Sequence, residues 1–495
     1  MLTLTVFSVA TRCLGFIFKI YMSQIMTTTD LGIYNLSLSI FTVLLTLVGA
    51  SIPLTISKIT SNNICHNCTE KTKYSVTSSL ILTTSISIII SIFIFIFKNT
   101  LITIIGDEMG YFTIVCLIPS IIFTALYSQV KGYLWGLENY FSVSLVELIE
   151  QILRILFCVI FVFMDIFPSP IISVAIALSV ACGISSAIGF FYYFKHDGRF
   201  KYKKGYYKEI INSSLPLTGV RLFGSILSPI VALIIPIQLG KLGLSKSLAL
   251  SELGIIMGMT MPLLSIPSTI IGALCMILIP KLNSENDKSH KNQISNYIKF
   301  TLICSFIFIP IFIGLGEPIC EYVFGNISAG SYLQSSATIM IPLGLAQITT
   351  AILNALNQEK QTFIYYIISS IFLILSVIVL PYIFLAKAML FASGISSCIL
   401  AILNIIKIQK ITAYKNSIIK DCLYNGAICV PIILLVKSLY SLLKNIFNTF
   451  ISLAITCSAS IIFYILFLII FNLLDFKEVK KYIVKKNINN ELNKT

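Results

Sequence analysis

Charge is scarce in this chain. Of its 495 residues 11% are Asp, Glu, Lys or Arg, against 57% hydrophobic, and the mean hydropathy is +0.94. Ordinary soluble domains carry roughly a quarter charged residues, so that class is excluded. Histidine is nearly missing. His66, His196 and His290 are all there is, and each falls on a loop assigned below to the inner side. A membrane-embedded glycan polymerase or transferase would then have only the outer acids Asp107, Glu108, Glu317 and Glu321 to work with. Paired outer-loop cysteines are missing too. The 13 cysteines are scattered singly, which excludes a disulfide scaffold and points to reduced thiols in packing positions. Cys65 and Cys68, in Cys65-His66-Asn67-Cys68, lack the further ligands a zinc or redox centre needs, so neither metal nor cofactor is expected. The apolar segments do not alternate with polar residues, which excludes a transmembrane barrel. The first of them has no basic head and no small-residue cleavage motif, and so reads as a retained span. Its abrupt start at Met1 suggests that a few cytoplasmic residues precede it.

What is present is a succession of apolar runs of roughly 20 residues, each long enough to cross a hydrocarbon core of about 30 Å. About fourteen are expected, among them 2–25, 31–56, 111–130, 143–165, 212–238, 252–279 and 332–355, with the last two near 423–443 and 447–472. The chain is thus an all-α polytopic membrane protein. Lys and Arg set its orientation. With an inner N-terminus, about 25 cations lie on inner loops and about 6 outside, the outer ones being Lys98, Lys241, Lys246, Lys387, Lys437 and Lys444. N-in and C-in is therefore expected, and the net charge of +15 is mostly topological. Anionic membrane lipid accounts for such short basic loops, and no nucleic-acid partner is expected.

The sequence repeats itself. LGIYNLSLSIFTVLLTLVGASIPLTISKITS, from Leu31, parallels LGIIMGMTMPLLSIPSTIIGALCMILIPKLNS, from Leu253: both open on Leu-Gly-Ile, carry a Gly-Ala (Gly49, Gly272) and close on a Lys nine residues later (Lys58, Lys281). Arg12-Cys13-Leu14-Gly15 matches Arg221-Leu222-Phe223-Gly224 in outline. Gly132 and Gly136 match Ala351 and Ala355, small residues four apart that let helices approach closely. Corresponding elements lie about 210 to 220 residues apart with an even number of spans between, so the copies share one orientation. This predicts two parallel six-helix lobes, 1–210 and 211–410, with two further helices and a basic tail over 411–495.

Against that apolar background the few intramembrane charges stand out. Arg12, Arg154 and Arg221 each fall roughly 15 Å into a span, near the midplane. Each costs about 2.5 to 3.5 kcal/mol to insert, so they are expected to face water, a ligand or a partner. Thr5, Ser8, Arg12, Gly15, Lys19 and Ser23 form one stripe, repeated by Ser214, Thr218, Arg221, Gly224, Ser225 and Ser228. No acid lies three or four residues from Arg12 or Arg221. They are candidate anion ligands lining a cavity, unless Glu147 or Glu150 of another helix neutralises them. Lys19 is either an outer cation of the same site or a residue that snorkels to the interface. In the fifth span Glu147, Glu150, Gln151 and Arg154 form a polar stripe, a coupling or gating network or else a compensated ion pair. Pro216, Pro229 and Pro236 interrupt the seventh span, and Pro262 and Pro267 the eighth, favouring bent, mobile helices.

Duplicated lobes around a cationic cavity suit alternating access for an anion. RCLGFIFKIYMSQ, DLGIYNLSLSIF and GASIPLTISKI, within Arg12 to Ile59, resemble the stage V sporulation protein B family of the multidrug/oligosaccharidyl-lipid/polysaccharide exporter superfamily, as do VELIEQILRI at 146–155, the run from Leu242 to Ile270 and ALNQEKQTF from Ala355. The resemblance implies a fourteen-helix, two-lobed fold like that of the multidrug-extrusion (MATE) transporters. It also implies a non-enzymatic role in moving lipid-linked cell-wall precursors, like the MurJ-type lipid II flippases, in a bacterial cytoplasmic membrane and for peptidoglycan or spore-cortex synthesis. In that related family first-helix arginines line the cavity. Arg12 matches one, and Lys19 replaces a second only approximately. The implied substrate is an undecaprenyl-diphosphate glycolipid held by Arg12, Lys19 and Arg221, with transport driven by H+, Na+ or the membrane potential. An oligosaccharide-lipid flippase is the near alternative. A drug/cation antiporter would need an acid in the first helix, where this chain has Arg12 and Lys19.

Overall fold

The computed structural model describes residues 2–49, 51–65, 69–203, 205–283, 287–412 and 418–471, and every regular element in them is helical. Twelve of the spans they form are long and apolar enough to cross a membrane. Two further helices of 24 residues are long enough but stand outside that set, Leu2–Ile25 and Tyr140–Phe163, and the second holds Glu147, Glu150 and Arg154. The chain divides into two compact units, residues 1–263 with 366–396, and residues 264–365 with 397–495.

The first unit opens with α1 (Leu2–Ile25), α2 (Thr28–Gly49), α3 (Ile52–Cys65), α4 (Thr69–Ile96), the short α5 (Lys98–Ile105), α6 (Glu108–Gly136), α7 (Tyr140–Phe163) and α8 (Pro170–Lys195). Helix starts follow local chemistry. Asp107 accepts the Met109 N–H at 2.7 Å to cap α6, Asn139 accepts that of Ser142 to cap α7, and Ser169 caps α8 just before Pro170. α9 (Tyr206–Lys241) and α10 (Lys246–Gly254) follow, then a wide π-type turn at Ile255–Thr260. α6 packs on α2, α3, α4 and α8, while α7 packs on α8 and α1. A core of Ile52, Ile56, Val76, Leu80, Val130, Leu134, Val143, Tyr193 and Ile210 sits under these helix crossings.

The second span was expected as one run over 31–56. It is broken between α2 and α3, because Gly49 adopts φ +127°, a conformation L side chains rarely take, and Pro53 follows without an N–H to rejoin the ladder. The eighth span is likewise disrupted by the π turn and then divided into α11 (Met261–Leu264) and α12 (Ile266–Asn283). The seventh is not interrupted. α9 runs through its prolines for 36 residues, since a proline forfeits one hydrogen bond and bends a helix without having to end it.

The second unit contains α12, α13 (Asp287–Phe306), α14 (Ile309–Phe324), α15 (Ile327–Ser336) and α16 (Met340–Ala355). α17 (Glu359–Val379) starts in it, the short α18 (Pro381–Phe384) belongs to the first unit, and α19 (Ala388–Thr412) ends in the second. α20 (Ile418–Lys444) and α21 (Thr449–Ile470) close it by packing on α14, with the buried Tyr464 hydroxyl donating to Asn425 at 2.6 Å.

The repeated segments pack in matching ways. A Cβ on Gly32 would lie 1.9 Å from the Leu250 carbonyl oxygen, and one on Gly254 would lie 2.0 Å from that of Thr28. Each glycine thus meets the carbonyl four residues before the other, at a near-symmetric crossing of α2 and α10 that Ser251 and Thr28 brace with a 2.7 Å hydroxyl bond. A Cβ on Gly15 of α1 would lie 3.8 Å from the Gln151 amide nitrogen of α7, as one on Gly224 of α9 would lie 3.6 Å from the Tyr366 hydroxyl of α17. α3 packs on α6 in the first unit as α12 packs on α16 in the second.

Candidate functional site

The break in the second span creates a concavity. Below it, Gly132 and Gly136 bring α6 against the backbone of α3: a Cβ on Gly132 would lie 2.5 Å from the Pro53 carbonyl oxygen, and one on Gly136 would lie 2.8 Å from that of Ser57. Lys131 and Trp135 stand one position before each glycine, four apart on the same helix, and are thereby held at the rim of the seam. Between the end of α2, the start of α3, α6 and α9 is a cavity of about 270 Å³. Leu45, Val48, Leu54 and Ala125 give it an apolar lining, Thr46, Thr124 and Ser128 supply hydroxyls, and Lys131, Trp135 and Arg221 supply two cations and an indole.

Arg221, singled out from the sequence, therefore lines a cavity. Its companions there are Lys131 and Trp135, which sequence reasoning left among the inner-loop cations and in the small-residue motif. Lys131 pairs with Glu147, and its ammonium lies 4.5 Å from the centre of the Trp135 ring. The pair is only partly shielded, with 24% of the Lys131 and 42% of the Glu147 side chain exposed. Arg12 and Lys19 lie on α1 with exposed side chains, outside this cavity. Lys131 also carries the signal that could have found it: it sits i and i+4 with the tryptophan and i−1 to a glycine seam.

The fifth-span stripe is divided between two neighbours. Glu150 receives Arg154 at 2.8 Å and the Ser185 hydroxyl of α8 at 3.2 Å, with the Cys182 thiol 3.8 Å away. Glu147, one turn earlier, turns to Lys131 of α6. Gln151 is buried beside Gly15, where α1 crosses α7. So the acids expected as alternative partners of Arg12 and Arg221 each have a cation of their own in the structure. Asp107, one of the acids expected on the outer side, is occupied as a helix cap. Among the described residues no cluster of His, Cys, Asp and Glu has the size to hold a metal ion. The Cys65 side chain and residues 66–68 lie outside the described residues.

Comparison with known proteins decides the family. Residues 1–284, more than half of the chain, match the family described as polysaccharide biosynthesis protein. The chain belongs to that family. It is also similar to stage V sporulation protein B of Bacillus subtilis (strain 168), with 24% identity over 365 residues, 70% of each chain. That agrees with the resemblance carried by Arg12 to Ile59. Among solved structures, the fold is similar to that of lipid II flippase MurJ in an inward closed conformation, at a TM-score of 0.70 and 16% identity over 94% of this chain and 98% of the other. It is also similar to an inward-facing multidrug resistance MATE family transporter of the MOP superfamily, at a TM-score of 0.66 and 15% identity over 83% of this chain and 98% of that one. The polysaccharide biosynthesis family member described here thus has the all-helical fold of that superfamily.

Proposed function

We propose that the protein is an alternating-access flippase that moves a lipid-linked cell-wall precursor, an undecaprenyl-diphosphate glycolipid of the lipid II kind, across a bacterial cytoplasmic membrane. The observation that carries this reading is the cavity in which Arg221 meets a second cation, Lys131, among hydroxyls and apolar side chains inside a membrane-spanning unit. Two cations suit a diphosphate and disfavour a cationic drug. Its relatives add support: one is a sporulation protein and a fold neighbour is a lipid II flippase. In this reading the duplicated lobes are 1–210 and 211–410, followed by 411–495, with both termini inside. Arg12 and Lys19 continue the cationic path along α1. Glu147, Glu150, Gln151 and Arg154 couple the cavity to α8 and α1, with H+, Na+ or the membrane potential as the drive. No bond is made or broken, so no catalytic group is assigned. A spore-cortex role follows from the relative, and the family description favours a polysaccharide-lipid cargo as the second reading.

The test is translocation of labelled lipid II in proteoliposomes by wild type, Arg12→Ala and Arg221→Ala at matched insertion. Wild-type transport with at least tenfold loss in both variants supports the reading. Wild-type transport of an undecaprenyl-linked polysaccharide unit but not of lipid II hands it to the second reading.

A further inference from the structure

Trp135 is the only tryptophan in the chain. A tryptophan near a helix end is commonly an interfacial anchor in the headgroup region. This one is not placed as an anchor. It is partly buried against the core built on Ile52, Val130 and Leu134, and it lines the cavity under the broken second span. Around it stand the ammonium of Lys131, the guanidinium of Arg221 and the hydroxyls of Thr46, Thr124 and Ser128. An anion alone would need the cations and not the indole. A drug-like organic cation would meet two like charges. A saturated ring bearing hydroxyls and a phosphate uses all of them: its phosphate draws the Lys131 ammonium off the indole, over which it lies at 4.5 Å, and reaches Arg221, its C–H face, slightly positive, takes the ammonium's place on the negative face of the ring, and its hydroxyls reach Thr and Ser. The volume, about 270 Å³, is below the roughly 300–1,000 Å³ of sites for drug-sized ligands, so it admits one sugar ring with its phosphate and not a whole glycan.

We infer that the Lys131–Trp135–Arg221 cavity is a reading site for the phosphate-bearing sugar next to the lipid, with Trp135 packing the sugar ring and Lys131 shared between Glu147 and the phosphate. The identity of the lipid-linked ligand rests on the flippase reading, but the sugar-phosphate chemistry of the cavity does not. Lys131 is already paired with Glu147, and an arriving phosphate competes for it. Binding therefore loosens the hold of α6 on α7, the helix that carries the Glu150–Arg154 pair.

Because Trp135 is the one indole among 23 tyrosines, its emission, excited at the red edge of its absorption where tyrosine no longer absorbs, reports this cavity. The full-length protein in detergent is titrated with N-acetylglucosamine 1-phosphate, inorganic phosphate, uridine monophosphate and phosphatidylglycerol, and the same ligands are followed by calorimetry for Trp135→Leu, Trp135→Phe and Lys131→Ala. The expected result is a saturable emission change with the sugar phosphate, weakened at least about tenfold by Trp135→Leu and by Lys131→Ala and largely kept by Trp135→Phe, since aromatic stacking is worth about a factor of ten or more. Inorganic phosphate should bind more weakly and not respond to Trp135→Leu. Equal binding of phosphate and sugar phosphate, preference for uridine monophosphate or phosphatidylglycerol, or indifference to Trp135→Leu would overturn the inference, and failure of Trp135→Phe to elute as a monodisperse protein would move the readout to Lys131→Ala alone. Sugar-phosphate binding without lipid II transport would sink the flippase reading and leave the site standing. Lipid II transport unaffected by Trp135→Leu would do the reverse.

Discussion

Replacing Gly254 by Ala tests the crossing of α2 and α10. Its new Cβ would lie 2.0 Å from the Thr28 carbonyl oxygen and 2.6 Å from the Gly32 nitrogen, both backbone atoms that cannot swing aside. An ordinary carbon–oxygen contact is about 3.3 Å, so the helices must part by roughly 1.3 Å. At that separation the 2.7 Å bond from Ser251 to Thr28 opens to about 4 Å and is lost. Overpacking of this kind costs about 1–3 kcal/mol, the lost bond about 0.5–1.5 kcal/mol, and the better helix propensity of Ala returns about 0.5–1 kcal/mol. The net expectation is destabilisation of about 0.5–4 kcal/mol, centred near 2 kcal/mol and read as a lower denaturation midpoint in detergent. Gly219→Ala on α9 is the internal control. Nothing lies within 4 Å of its would-be Cβ, so it should be neutral or slightly stabilising. Gly32→Ala would place its Cβ 1.9 Å from the Leu250 oxygen and should cost as much as Gly254→Ala. The double variant should cost clearly less than the two singles added, because one separation relieves both clashes. If Gly254→Ala matched the Gly219→Ala control, or if the double variant were additive, the close glycine crossing would be refuted.

Two other perturbations follow from the site. Gly49→Ala places a side chain at φ +127° and 2.5 Å from the Ile52 Cδ1; a strain of about 1–2 kcal/mol is expected together with weaker sugar-phosphate binding, because the break between α2 and α3 shapes the cavity, and calorimetry and a denaturation midpoint on the same sample check both. Arg154→Ala strands the Glu150 carboxylate between α7 and α8, where only the Ser185 hydroxyl and the weak Cys182 thiol are left to donate to it, and should cost more than the double variant Glu150→Gln/Arg154→Ala, by about 1–3 kcal/mol; equal costs would mean that the pair is not shielded enough to matter.

Much of the architecture could be read along the chain. Runs of apolar residues specify membrane helices because a lone span satisfies its own backbone, and this requires no partner. The likeness of Leu31-Gly32-Ile33 and Leu253-Gly254-Ile255 is likewise local, and the two glycines it marks are the ones that meet where α2 crosses α10. Arg221 was legible as a candidate ligand since a guanidinium at mid-span is costly wherever it points. The prolines of the seventh span mark missing hydrogen bonds and not a helix end, and α9 runs on past all three.

The cavity was a matter for the tertiary structure. Lys131 counts as an inner-loop cation and Trp135 as a residue between two small ones as long as each is viewed in its own helix. Gly49 had to break the second span and Gly132 and Gly136 had to seat α6 on α3 before those two side chains met Arg221, some 90 residues further along the chain. The same holds for the acids. By spacing alone Glu147 and Glu150 were equivalent members of one stripe, yet packing gives the first to Lys131 on α6 and the second to Arg154 with Ser185 on α8. Hydropathy and repetition are local, additive properties that a sequence states outright. Which charges share a cavity depends on helix crossings, and these are fixed by backbone packing at a few glycines whose partners lie far away in the chain.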